Sequence, residues 1–291
     1  MNKGGDTMIV VKNLFHSYGQ NNDFAVNDIS FSIDEGEIFG FLGPSGAGKS
    51  TTQNILTGLL ELQKGEATIA GESVLKRSQN LFNLMGVSFE QPNVYKKLTA
   101  IENLEFYAQL FAVPTADPKK LLKMVGLEDA MYKKAGAFSK GMLQRLVFCR
   151  SLVNNPKVWF LDEPTSGLDP TTASRIKEII KERKQAGATI FLTTHNMFIA
   201  DELCDRVAFL NDGQIMALDT PRALKLQHGE KFVNVEFKGA SGIETAKLSM
   251  TNHEDQRRLN ALIETGIIDT MHSQEATLEQ IFIKLTGRGL D

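Results

Sequence analysis

The sequence predicts an α/β protein: a largely parallel sheet covered by helices, with a helical insertion and a small α/β appendage after it. Three patterns lead there. Ile38-Phe39-Gly40-Phe41-Leu42 is a continuous apolar run, the mark of a strand buried on both faces, and a glycine-rich loop and a helical pattern follow it directly. After Asn155-Pro156, strand-like and helix-like segments alternate, the order that lays parallel strands side by side under helices. Between these stretches, residues from about 92 to 153 are helical in character and read as an inserted subdomain.

Taken in order, Met8–Val11 is a short β-branched run, Ala25–Ile33 alternates in part, and Asp34-Glu35-Gly36-Glu37 is a polar turn into the apolar strand. A helix is expected over Ser50–Gly58 and a short strand over Gly86–Phe89. Thr99-Ala100-Ile101-Glu102 fits a capping box, opening a helix expected to end near Pro114. Asp117–Val125 and Met142–Val153 carry helical spacing; Leu143, Leu146 and Val147 fall on one face. Strands are expected at Val158–Leu161, Thr189–Thr194 and Val207–Leu210, helices at Thr172–Gln185 and Met197–Leu203, and a hairpin at Asn211-Asp212-Gly213 leading into Gln214–Leu218. Beyond Thr220-Pro221, strand patterns at Phe232–Phe237 and Ile267–His272 alternate with helical ones at Asp255–Glu264 and Thr277–Leu285. The second of these helices opens on another capping box, Thr277 with Gln280.

Composition narrows the function classes. At roughly 100–200 residues per domain, 291 residues allow one large domain, expected over 7–220, and an accessory domain over 221–291. Thirty-two Lys and Arg against 35 Asp and Glu give a net charge of −3, unlike a strongly basic nucleic-acid binder. Apolar runs such as Val158–Leu161 are a few residues long, far short of the roughly 20 a spanning helix needs. The N-terminal MNKGGDTMIVVKN has no apolar core of a secretory signal. Cys149 and Cys204 sit in apolar-periodic segments and read as small core residues of a reducing compartment.

Two motifs carry chemistry. Gly43-Pro44-Ser45-Gly46-Ala47-Gly48-Lys49-Ser50-Thr51 matches G-x-x-x-x-G-K-[ST]. Such a loop curls backbone N–H groups around phosphates, the lysine reaches the β- and γ-phosphates, and the Ser50 hydroxyl can bind Mg²⁺; the helix dipole beneath adds to it. Val158-Trp159-Phe160-Leu161-Asp162-Glu163 is an apolar strand ending in two carboxylates. A parallel strand delivers such an end to the ligand crevice, where Asp162 is placed to hold Mg²⁺ or its water and Glu163 to polarise an attacking water.

Together with five further motifs in the family's order, the sequence resembles the ATP-binding cassette (ABC) ATPases over essentially all of residues 8–220. Tyr18, in His16-Ser17-Tyr18-Gly19, lies where that family stacks an aromatic ring on adenine. Gln91, after Ser88-Phe89-Glu90, lies at the Q-loop, and Phe138-Ser139-Lys140-Gly141-Met142 takes the place of the Leu-Ser-Gly-Gly-Gln signature. Ser166-Gly167-Leu168-Asp169 matches the D-loop and His195 the switch histidine. The signature departs from the usual pattern at Lys140 and Met142, while Ser139 and Gly141 are kept. Similar Ser-Lys-Gly-Met forms, and a closing segment like Thr277–Gly287, occur in ATPase subunits of bacterial drug, antibiotic and lipid-linked exporters.

The resemblance implies a P-loop fold with an antiparallel N-terminal β region, and an ATPase using ATP and Mg²⁺. Glu163, His195, Lys49 and Gln91 would be catalytic; Tyr18 and residues Gly43 to Thr51 would bind nucleotide; Ser50, Gln91 and Asp162 would hold Mg²⁺, Asp162 through water. Ser139 and Gly141 would meet the γ-phosphate bound by an opposing ATPase subunit, identical or homologous, near the D-loop Asp169. Separate polytopic membrane permease subunits would form the transport path, docked about Gln91–Phe111 near Lys96 and Lys97. The place implied is cytoplasmic, on the inner face of the cell membrane, with no nucleic acid as partner. The alternative is a soluble ABC ATPase acting on nucleic acid or ribosomes; such members carry paired cassettes, coiled-coil insertions or basic arms, and none is seen here.

Overall fold

The structure, a computed structural model, describes residues 6–19, 23–229, 232–239 and 242–289. They fall into two compact units, one up to Leu218 and one from Asp219 onward.

The first unit opens with β1 (Thr7–Ser17), β2 (Phe24–Asp34) and β3 (Ile38–Leu42), then α1 (Lys49–Leu56), β4 (Lys64–Ile69), β5 (Glu72–Ser73), α2 (Gln79–Leu84) and β6 (Met85–Ser88). It continues through α3 (Ala100–Ala108), α4 (Pro118–Met124), α5 (Lys140–Arg150), β7 (Val158–Asp162), α6 (Pro170–Gln185), β8 (Thr189–Thr194), α7 (Met197–Leu203), β9 (Arg206–Asn211) and β10 (Gln214–Asp219). A central sheet runs β10-β9-β3-β8-β7-β6, with the pairs β9–β3, β3–β8, β8–β7 and β7–β6 all parallel. An antiparallel sheet, β2-β1-β4-β5, stands beside it.

The two sheets meet through phenylalanines. Phe31 of β2 lies 5.4 Å from both Phe39 and Phe41 of β3 and 6.2 Å from Phe191 of β8, centroid to centroid. Each buried ring is worth about 1.5–3 kcal/mol of apolar transfer. This packing fixes the carboxyl end of β3, where the glycine-rich loop begins. The strands β3, β7 and β8 are buried at every residue, which is why each has an apolar centre rather than an alternating pattern, with polar side chains only at the ends of β7 and β8. β9 turns into β10 through Asp212 and Gly213, both at positive φ (46° and 76°), the two-residue turn whose twist suits a hairpin.

Helices α3, α4 and α5 lie in the chain between the neighbouring strands β6 and β7. Thr99 caps α3 and Glu102 reaches back to the Thr99 N–H at 2.7 Å. That helix ends at Ala108, not near Pro114: the Gln109 N–H turns to Phe106 O, although Leu110 and Phe111 prolong the apolar spacing. Asp117 caps α4 with Pro118 at its first position. The strands β4 and β5 and the helix α2 carried no clear pattern and were not expected. Cys149 and Cys204 are both buried; burial pushes the Cys149 thiol up to about 12 and the Cys204 thiol up as well.

The second unit contains α8 (Pro221–His228), β11 (Phe232–Gly239), β12 (Gly242–Ser249), α9 (His253–Thr265), β13 (Ile268–Gln274) and α10 (Leu278–Thr286). Its antiparallel sheet, ordered β12-β11-β13, buries Val233, Val235, Phe237, Ala246 and Leu248 against Leu259 and Leu262 of α9. Thr277 and Gln280 form the capping box of α10. Among the described residues no helix is long and apolar enough to cross a membrane.

Candidate active site

The loop from β3 to α1 needs glycine at two close approaches. A Cβ on Gly43 would sit 2.2 Å from Leu210 O, and one on Gly48, at φ +103°, 2.3 Å from Ala25 O. Gly46, at φ +80°, faces open space. Lys49 curls back, its Nζ donating to Gly43 O at 2.7 Å and Pro44 O at 2.9 Å. Burial pulls the Lys49 pKa down; Glu163, Asp162 and Glu90 oppose that shift.

The carboxylates arrive from β7. Asp162 closes the strand, paired with Thr193 of β8, whose hydroxyl donates to Asp162 Oδ1. Burial pushes the Asp162 pKa up, the Thr193 hydroxyl pulls it down, and Glu90 and Glu163 add to the rise. Glu163 is buried and sits at φ 47°, a left-handed conformation costing roughly 1–2 kcal/mol. Its carboxylate is fixed by the Thr194 hydroxyl at 2.8 Å, the His195 N–H at 2.8 Å and His195 Nδ1 at 2.6 Å. Hydrogen bonds to a charged group contribute about 1.5–3 kcal/mol each, so the hold outweighs the strain.

The adenine-side candidate is close to the loop. Tyr18, 67% exposed, joins its hydroxyl to Thr51 Oγ1 at 3.1 Å. Its predecessor Ser17 is pinned by the Gln63 amide, which accepts from Ser17 N at 2.8 Å and donates to Ser17 O at 2.9 Å. Ser45 and Ser50 are exposed and Thr51 is buried on α1. Gln91 is exposed and makes no hydrogen bond to another described residue.

One predicted group lies apart. Ser139 caps α5, accepting from Met142 N at 3.3 Å, and Gly141 follows in the first turn. No hydrogen bond or ion pair among the described residues links either to residues 43–51. Their neighbour is the Ser166–Asp169 loop: a Cβ on Gly141 would meet Leu168 at 3.7 Å, and one on Gly167 would meet Lys140 Nζ at 3.7 Å. Asp169 caps α6 through Thr172.

Residues 26–166 match the family described as ABC transporter. Over 98% of this chain and 95% of the relative, the sequence is 48% identical to the Fluoroquinolones export ATP-binding protein of Mycobacterium tuberculosis. The chain belongs to the ABC transporter ATP-binding family. The Linearmycin resistance ATP-binding protein of Bacillus subtilis is 30% identical over 97% of this chain and 99% of its own length. An ATP-binding cassette solved as a dimer in a post-hydrolysis state with ADP and Pi superposes with a TM-score of 0.67 and 29% identity, covering 73% of this chain and 98% of that one. The fold and family expected from the motifs therefore hold, and the chain is the ATPase subunit of an ABC transporter. The nucleic-acid or ribosome alternative finds no counterpart among these relatives.

The loop of this ABC ATPase also fits a magnesium nucleotide. Glu163, Asp162 and Glu90 all act electrostatically on the one lysine of the loop, a field that repels a bare triphosphate. Hard oxygen donors suit Mg²⁺, which keeps waters and shares phosphate oxygens rather than filling an all-protein cage; among the described residues no cluster of three or more acidic, His or Cys side chains forms one. Sequence reasoning missed Thr193 and Thr194, which hold the two carboxylates. Their signal was two hydroxyls closing an otherwise apolar strand directly before His195.

Proposed function

We propose that this ATPase subunit drives export, working as a head-to-tail pair on separate polytopic membrane subunits at the inner face of the cell membrane. Residues 7–220 would be the ATPase module, with the helical part about 92–153, and 221–291 an accessory domain. The reading is supported most by one arrangement: Asp162 and Glu163, delivered by β7 and gripped by β8, facing Lys49 on the glycine loop. The export direction and a drug- or antibiotic-like cargo rest on what the relatives' names say of those proteins.

In this reading Tyr18 stacks on the adenine ring, and the backbone from Gly43 to Gly48 holds phosphate oxygens with Ser50 and Thr51 at the start of α1. Lys49 exchanges its two carbonyl partners for β- and γ-phosphate oxygens, a stronger charge-assisted contact. Mg²⁺, when bound, neutralises phosphate charge in the transition state; Ser50, Gln91 and Asp162 would hold it, Asp162 through a water. Glu163 accepts the proton of the attacking water at its carboxylate, and His195, already on Glu163 Oε1, orients that carboxylate and faces the γ-phosphate. Ser139 and Gly141 complete the site of the opposing subunit, with Asp169 in the neighbouring loop.

Purification through a tag on this chain from detergent-extracted membranes tests the assignment. A polytopic membrane protein in stoichiometric amount and Mg²⁺-dependent ATPase activity are expected; recovery with ribosomes or nucleic acid instead would overturn it.

A further inference from the structure

Arg150 ends α5 and is 5% exposed. Its Nη1 donates to Asn93 O at 2.6 Å and its Nη2 to Asn93 Oδ1. The guanidinium lies 4.9 Å from the centre of the Tyr107 ring. Among the described residues no carboxylate pairs with it; the ionisable groups around it are Tyr107, Cys149 and Tyr95. A buried cation without a counter-ion is a poor source of stability, since hydrocarbon of the same shape often does as well. A planar fork on one residue, by contrast, sets both its position and its orientation. What this fork fixes is Asn93, at both its carbonyl and its side chain.

Asn93 stands two residues after Gln91. Glu90, Gln91 and Pro92 make no hydrogen bond to other described residues, so Gln91 rides on a short bridge between the end of β6 at Ser88 and the clamp at Asn93. Beyond the clamp the chain is fixed again: Asn103 of α3 accepts from Tyr95 N at 2.8 Å and donates to Thr99 O at 2.8 Å. The same α5 that ends in the clamp begins at the signature, with Ser139 as its cap and Gly141 in its first turn. Its 11 residues span about 16 Å at ~1.5 Å each. From Leu146 to Arg150 every residue is buried, and a close-packed helix transmits strain along its length.

We infer that Arg150 is a positioning residue that ties the Gln91 segment to the signature through α5, so that the nucleotide state of one ATP site is felt at the other. The inference rests on the proposed reading in which Gln91 meets this subunit's own ATP while Ser139 and Gly141 meet the partner's. A shift of Gln91 toward its ATP then draws on Asn93, Arg150 and the helix whose start faces the opposite nucleotide.

The test is steady-state ATPase of the complex purified through the full chain, with Arg150→Lys, Asn93→Ala and Gln91→Ala alone and combined. Arg150→Lys keeps the charge and loses the fork; kcat should fall about tenfold, in line with the cost of small misplacements, with the ATP affinity of the subunit changed less than about twofold. The Hill coefficient for ATP should drop toward one. Asn93→Ala, at an exposed position, should lower kcat by about threefold and shift the Hill coefficient in the same direction by less than Arg150→Lys does, since the backbone carbonyl remains. Combined with Gln91→Ala, neither should add to the larger single loss. Unchanged kcat and cooperativity in both variants, or losses that multiply with Gln91→Ala, overturn the inference. So does an Arg150→Lys defect that appears only as a lowered melting temperature while Asn93→Ala behaves as wild type. If Gln91→Ala alone is wild type, the inference falls together with the proposed reading; if Gln91→Ala is impaired and the other two are not, the inference falls alone.

Discussion

The phosphate-loop end and the signature end of this ATPase differ in where their polar groups find partners. At the first, almost everything is settled within one chain: Lys49 on two carbonyls, Asp162 on Thr193, Glu163 on Thr194 and His195. At the second, Ser139 is exposed and only caps its own helix, and Gly141 has no tight neighbour. Preorganisation of the first kind places charge before substrate arrives. Open donors at a helix start, of the second kind, suit a surface completed by another molecule.

Glycine substitutions separate the two ends most strongly. Gly48→Ala puts a Cβ 2.3 Å from Ala25 O at φ +103°; overpacking and a left-handed backbone together should cost about 3 kcal/mol, and ATP affinity should fall with the displaced start of α1. Gly141→Asp has room, the nearest atom being 3.7 Å from the added Cβ. It should leave thermal stability and ATP binding near wild type yet lower ATPase about 100-fold, because a negative side chain enters the phosphate contact. Equal loss of nucleotide affinity in both variants would erase the distinction.

Thr193→Val sharpens the account of the first end. Burial, Glu90 and Glu163 already favour the neutral acid at Asp162, and the Thr193 hydroxyl opposes them, as does Lys49. Without that hydroxyl the pKa rises further, so the acid limb of the ATPase pH profile should move to higher pH and the Mg²⁺ requirement should increase. An unmoved acid limb would show that Asp162 does not limit turnover there. The smallest effect belongs to Lys140→Gly. The lysine points to Gly167 of its own chain, so steady-state ATPase should stay within about threefold of wild type; a large loss would give Lys140 a direct phosphate role.

What could be read from the sequence follows the same division. β3, β8 and α7 were legible to the residue, because strands buried on both faces show no polar alternation and Asn196 marks the start of α7. β4 and β12 were not: KGEATI and GIETAKLS place few apolar residues in register and leave much of each strand exposed. The glycine loop, both carboxylates and His195 were legible as motifs. The grip of Thr194 on Glu163, of Gln63 on Ser17 and of Arg150 on Asn93 was not, since each joins residues 31 to 57 positions apart through side chains that follow no local period.

In the proposed pair, one chain's phosphate loop is completed by another chain's signature. Sedimentation of Glu163→Gln with Mg²⁺ and ATP tests it most directly. The amide should retain ATP without hydrolysing it, converting monomer to a lasting dimer, whereas Glu163→Gln combined with Gly141→Asp should bind ATP and stay monomeric. A Glu163→Gln chain that stays monomeric at saturating ATP, or a double variant that dimerises as readily as the single one, would contradict the account.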